Sequence, residues 1–286
     1  MGRRSDRCAG EIQSVPMTAA ADLTTTLTSL PSAQFRRSRT FYRTYDTFWL
    51  IASLIATALL LAFGVRPLAP TLAWWFLPVF PVVIYLHIIA NVFVHNACHG
   101  NFPKPINRLV GEVLGFIVLS RFASWQIIHA RHHMYSDDPE RDPHPLDKQY
   151  WRFVGRSFAG IERQLQRSYL EAHGDTPENR HRERVRAWIS YSTNAAVLAF
   201  WWVLLGPAGF FCFYAPATVL GWLFVMHFNW VTHNALDKTG EFFPVNLDRG
   251  YYWLGNRIFF GIYMHANHHR RANVFNPLRM PAETAS

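Results

Sequence analysis

The sequence predicts an all-α membrane protein: four transmembrane helices in two hairpins, with a cytosolic helical cap carrying a di-metal histidine site. Three observations lead there. Half of the 286 residues are hydrophobic and only 16% are charged, well under the quarter usual in a soluble domain. The long apolar runs come in two pairs, each joined by a short turn. The cationic residues and the clustered histidines fall on the same side of those runs.

Residues 1–44 are rich in Ser, Thr, Ala and Arg and read as a disordered basic segment. The stretch "MGRRSDRCAGEIQSV" lacks the apolar core of a secretory signal, and Asp6 breaks the myristoylation pattern that Gly2 opens. The first span is Phe48–Val65 and the second Leu72–Val94; each approaches the roughly 20 apolar residues a crossing needs. Pro78 and Pro81 should kink the second. The run "LVGEVLGFIVLS", Leu109–Ser120, is too short to cross and contains Glu112, so a re-entrant or interfacial segment is expected. Residues 149–188 mix apolar residues with many Arg; part of the stretch predicts an interfacial amphipathic helix, its basic face open to lipid headgroups, an anionic substrate headgroup or an acidic electron donor. The stretch Asn194–Val231 is long enough for two helices, broken near Gly206-Pro207-Ala208-Gly209.

Orientation follows from charge. Of 28 Lys and Arg, 27 lie on one side of this four-span arrangement and only Arg66 lies on the other. The positive-inside rule places the rich side, with both termini and the central loop, in the cytoplasm. The net charge of +9 suits an anionic membrane surface; no nucleic-acid-binding motif accompanies it. Cys8, Cys98 and Cys212 form neither a disulfide framework nor a CxxC site, and Cys98 reads as a small buried filler.

Nine of the 14 histidines fall into four clusters: His95 and His99; His129, His132 and His133; His233; and His265, His268 and His269. Each cluster sits at the predicted cytosolic mouth of the spans. Because the charge count ignores histidine, this agreement is an independent check. Residues i and i+4 share a helix face, so His95 and His99 can aim at one point. In each HxxHH the first and last rings share a face, and the middle ring can reach a neighbouring metal. Asn229 and His233 repeat the i, i+4 spacing, with the amide able to hold a water ligand. Nine imidazoles exceed one zinc, which takes about four ligands; they suit two metals of higher coordination number. His87, two turns before His95, is expected to hydrogen-bond within the bundle, and His227 to pack near the site. Among Asp137, Asp138, Glu140 and Asp142, the last is the best candidate to orient a ring through its second nitrogen. His144 is expected in the same outer layer.

The ordered set "HNACH", "HARHH" with "SDDPERDPH", "NWVTH" and "HANHH" resembles the integral-membrane fatty acid desaturase/hydroxylase superfamily, over residues 45–277. The resemblance implies a desaturase-like membrane domain at 45–277 and a tail at 278–286. It implies two Fe2+ ions held by His95, His99, His129, His132, His133, His233, His265, His268 and His269, with Asn229 acting through water. O2 is then the co-substrate, and no catalytic residue stands apart from the ligands. The first box is the HxxxH form shared with acyl-lipid desaturases and carotenoid ketolases. The implied reaction is introduction of a double bond into a fatty acyl chain; the alternative is a hydroxylase or ketolase of a fatty acid, carotenoid or other lipid. From another class, a metal-ion transporter would need ligands near the bilayer midplane. With no GxGxxG fingerprint and no CxxCH haem site, electrons must come from a separate ferredoxin or b-type cytochrome with its reductase.

Overall fold

The computed structural model describes residues 39–236 and 240–280. Of the segment expected to be disordered, residues 1–38 lie outside the described residues, as do 281–286 of the tail. Helix α1 spans Phe41–Ala62. It starts inside the segment expected to end at residue 44, because Phe41 and Tyr42 are buried against Ile127, Ile128, Leu165 and Tyr169.

The remaining helices are α2 Phe76–Cys98, α3 Lys104–Ile117, α4 Phe122–Met134, α5 Tyr150–His173, α6 Pro177–Gly209, α7 Ala215–Thr232, α8 Tyr251–Ile258 and α9 His265–Arg270. A π-helical turn, Phe210–Tyr214, joins α6 to α7. The strands are a two-residue antiparallel pair, β1 Ala235–Leu236 with β2 Phe242–Phe243. Pro81 lies inside α2, whereas Pro78 falls in its first turn, where a missing N–H costs little.

Helices α1, α2 and the stretch 177–232 are long and apolar enough to cross a membrane, and α3 with α4 makes a further, bent candidate. The outward faces carry Phe48, Leu54, Leu61, Trp74, Leu77 and Leu86, all exposed. Such a surface is stable only against lipid. The 177–232 stretch reverses direction at Gly206, whose φ of 76° and ψ of 173° interrupt the helix. Its neighbours leave no room for a side chain: an added Cβ would stand 2.8 Å from Pro67. There the α1–α2 turn is hydrogen-bonded to the α6–α7 turn, through Leu68 N–H to Leu204 O and Ala69 N–H to Leu205 O. Helices α6 and α1 then run in parallel from this end, as do α7 and α2.

The short apolar run becomes a reversal between α3 and α4, bent by 105°. Two glycines permit it. A Cβ on Gly111 would enter the Phe122 ring at 2.3 Å, and one on Gly115 would lie 2.4 Å from Ser120 O. Leu119 takes the left-handed conformation at the turn, φ 56°, a strained setting for a branched residue.

A buried polar network fastens α1 to α5 and α6. Asp46 accepts from Ser190 and Arg121; Arg121 also pairs with Glu162, and Arg186 with Glu162 and Glu183. Tyr42 donates to Glu183. Helix α5 is amphipathic as expected, burying Phe153, Val154, Leu165 and Tyr169.

Candidate metal centre

Helix geometry sorts the histidines. Successive side chains turn by about 100°, so i and i+4 nearly eclipse while i+3 diverges from i+4. His95 and His99 close α2, and His129 and His133 occupy one face of α4. With His268 of α9, these five bring one nitrogen each to within 4.8 Å of one another. His132, His233, His265 and His269 form a second set by the same measure. Each HxxHH segment therefore divides between the sets: its first and last rings go to one, its middle ring to the other. The sets touch, with His133 and His269 ring centroids 4.4 Å apart.

The nitrogens converge as lone pairs do around a cation. His99 Nε2 and His129 Nε2 are 2.7 Å apart, His133 Nε2 and His268 Nε2 3.0 Å, and His265 Nε2 and His269 Nε2 3.2 Å. Two imidazole nitrogens bound at about 2.1 Å to one octahedral metal stand roughly 3 Å apart. The Nε2 atoms of His95, His132 and His233 are buried with no hydrogen-bond partner among the described residues. Eight of the nine rings are at most 6% exposed; His95 is half-buried. Burial, with neighbouring imidazoles adding to it, holds His265, His268 and His269 well below the usual histidine pKa. Neutral rings offer the lone pair that a metal needs.

Outer partners fix two rings of the second set. His132 Nδ1–H donates to Asp142 at 2.9 Å, and His233 Nδ1–H donates to Asp137 Oδ1 at 2.9 Å. Each bond fixes the tautomer and leaves Nε2 bare. Asp142 also accepts from the backbone N–H of Asp137 and His144. Burial works against ionisation of Asp137, but the His233 ring and its hydrogen bond outweigh it and lower the pKa. Asp137 was not singled out from its acidic neighbours by sequence. The signal for it is local: a left-handed φ of 64° turns it inward, whereas Asp138 turns out to cap the N–H groups of Glu140 and Arg141.

His144 packs against His132 with its ring tilted by 30° and centroids 3.9 Å apart, and burial depresses its pKa to about 3. His87 Nδ1 bonds Val83 O at 3.0 Å, within its own helix. His227 pairs with Tyr263 Oη at 3.3 Å and joins neither set. Cys98 is buried among Val94, Val118 and Phe122. Asn229 donates Nδ2–H to Val225 O, 3.0 Å, leaving Oδ1 to the interior.

Below the first set lies a cavity of about 200 Å³. His95, His129 and Asn229 line one end, and Val92, Ile128, Trp222 and Val225 are among its apolar walls. The fold and site thus define a helical membrane protein built around a histidine-rich centre that could hold metal, with an apolar chamber beside it. The chain belongs to the fatty acid desaturase family, whose model matches residues 72–275. Membership makes it a desaturase/hydroxylase-like oxidoreductase acting on a lipid or acyl substrate at the membrane. No curated protein and no solved structure gives a match.

Proposed function

We propose that this protein is a di-iron, O2-dependent enzyme that introduces a double bond into a fatty acyl chain. The observation that carries the reading is the division of nine imidazoles into two touching sets, one of them roofing an apolar cavity. In this reading His95, His99, His129, His133 and His268 hold one iron, and His132, His233, His265 and His269 the other. Asn229 acts through water from the cavity side. Asp142 orients His132, and His144 buttresses the His132 ring. Imidazole sets of this size suit iron, with its higher coordination number, better than zinc.

Two irons held there would supply the O2-derived oxidant that takes hydrogen from an unactivated methylene. The chain itself contributes placement. The cavity walls hold the methylenes against His95 and His129, where an error of about 1 Å costs roughly a hundredfold in rate. Apolar lining keeps water from the oxidant. Electrons come from an external ferredoxin or b-type cytochrome with its reductase. Exposed Arg152 and Arg156, paired with Asp147 beside His144, offer an acidic carrier a landing point.

The catalytic unit is residues 45–277, flanked by the 1–44 segment and the 278–286 tail. Four spans in two hairpins place both termini, the cap and the histidines in the cytoplasm, on the strength of the charge asymmetry. The ligand sets sit at the ends of the long helices rather than at mid-depth, which favours an enzyme over an ion transporter.

The test is expression of the chain and of His132→Ala in a host of defined lipid content. The expected result is two irons per chain and new unsaturated lipid in mass spectra; in the variant the lipid product is lost and the iron content falls. Zinc accumulation with no O2 consumption and no altered lipid would overturn the reading.

A further inference from the structure

A second pocket, of about 230 Å³, lies away from the histidines, where the start of α1 meets the early turns of α6. Its walls contrast with the apolar chamber. Arg39, Arg43, Arg182 and Arg186 surround it, and Glu183 is the only carboxylate among the described lining residues. That carboxylate is already engaged: it accepts from Tyr42 and pairs with Arg186, which is 2% exposed. Arg182 pairs at 2.8 Å with Glu178, an exposed residue that does not line the pocket. Arg39 and Arg43 make no ion pair among the described residues.

Cations gathered this way repel one another unless an anion joins them. The donors also favour a kind of anion. A guanidinium presents a planar fork that meets two oxygens at once. Three such forks, from Arg39, Arg43 and Arg182, suit an anion with three terminal oxygens better than a planar carboxylate with two. A phosphomonoester has those three oxygens and carries a charge of roughly −1.5 to −2 at neutral pH, which matches the two uncompensated arginines. The pocket also stands at the edge of the apolar surface. Trp188 and Tyr191, both exposed, follow Arg186 on α6, and the first exposed large apolar residue of α1 is Phe48, roughly 7–8 Å along the axis from Arg43. Exposed aromatic residues collect at the level of lipid headgroups.

We propose that Arg39, Arg43 and Arg182 form a binding site for a phosphomonoester, its wall held by the buried Arg186–Glu183 pair. The ligand is either the headgroup of an anionic lipid in the adjoining leaflet or a soluble phosphate ester; both offer the same terminal phosphate. The site shares no lining residue with the apolar cavity, so it stands whatever the oxidised substrate proves to be.

The test is binding, so it needs no turnover. The full chain in detergent micelles is titrated with phosphatidic acid, phosphatidylglycerol and phosphatidylcholine of identical acyl chains, and separately with glycerol 3-phosphate. Phosphatidic acid should bind about tenfold tighter than phosphatidylcholine, with phosphatidylglycerol, a diester, between them. The double variant Arg39→Gln/Arg43→Gln should erase that preference. Arg163→Gln/Arg184→Gln, which removes two exposed cations outside the pocket, should keep it. Arg43→Lys retains charge without the fork and should lie between; it also tests the site if the double variant fails to fold. Saturable binding of glycerol 3-phosphate that depends on Arg39 and Arg43, without a preference among the lipids, supports the site and makes a soluble ester its ligand. A preference that survives in Arg39→Gln/Arg43→Gln, or that both double variants lose equally, would overturn the proposal, since net charge alone would then account for it. Oleate binding as tightly as phosphatidic acid, or no binding of any phosphate, would overturn it too.

Discussion

The two histidine sets hold almost equal numbers of rings yet are built differently. The first, His95, His99, His129, His133 and His268, touches no carboxylate among the described residues; its rings meet one another and the cavity. The second, His132, His233, His265 and His269, has two rings tied to Asp142 and Asp137. A cation in the second set has acids one bond beyond its ligands, which raise ligand basicity and offset charge. In the first set the chain supplies only neutral donors. The difference teaches a division of labour: one half faces the cavity, and the other is anchored to the polar loop 135–147.

The largest expected effect breaks both halves at once. Because each HxxHH segment feeds both sets, His132→Ala and His268→Ala should each lower turnover by more than about a hundredfold, beyond the loss typical of an outer partner. Metal analysis should show each variant losing more from its own set; equal loss from either would erase the distinction.

Next in size is Asp142→Asn, which keeps shape and removes charge. Metal affinity of the second set should fall about 10–100-fold, with the first set unaffected. Titration followed by absorption spectroscopy separates the two, and an unchanged affinity would mean that Asp142 serves only the loop.

The buried pair network sharpens the contrast with purely structural polarity. Arg186→Ala leaves buried Glu183 without its cation and Glu162 with Arg121 alone, and should destabilise the fold by about 3–5 kcal/mol without preferential loss of metal. Denaturant melts beside metal content check it.

Acid should act on the metal-free protein through the neutral rings. His265, His268 and His269 have folded pKa values below the unfolded value near 6.5. Below that pH the unfolded chain binds more protons than the folded one, so stability falls as pH falls. Each ring contributes up to about 1.4 kcal/mol per pH unit in that window. Chelator-treated protein should melt at a lower temperature at pH 5.5 than at 7.5; identical melting would show the rings already charged when folded.

The smallest effect is Gly115→Ala, about 1–3 kcal/mol from overpacking against Ser120 O. It should misplace α4, and so impair the first set before the second.

Much of this was legible in the chain. Runs such as Leu72–Val94 had to form helices, since lipid leaves no other partner for backbone polar groups. The spacing of His129, His132 and His133 already separated a shared face from a divergent ring, because helical pitch is a local property. Asp142 was legible too, from its place in a proline-stiffened acidic run. Asp137 was not, because its role depends on a left-handed turn and on His233, 96 residues away.

Sequence by itself determined the helices, their apolar outward faces, the crowding of imidazole at one end and the family. Those depend on composition and on periodicities of a few residues. Only the tertiary structure decided which ring joins which set, that His227 stands apart, and which residues line the cavity. Those are distances between segments far apart in the chain, fixed by how α2, α4, α7 and α9 pack, and no local pattern encodes them.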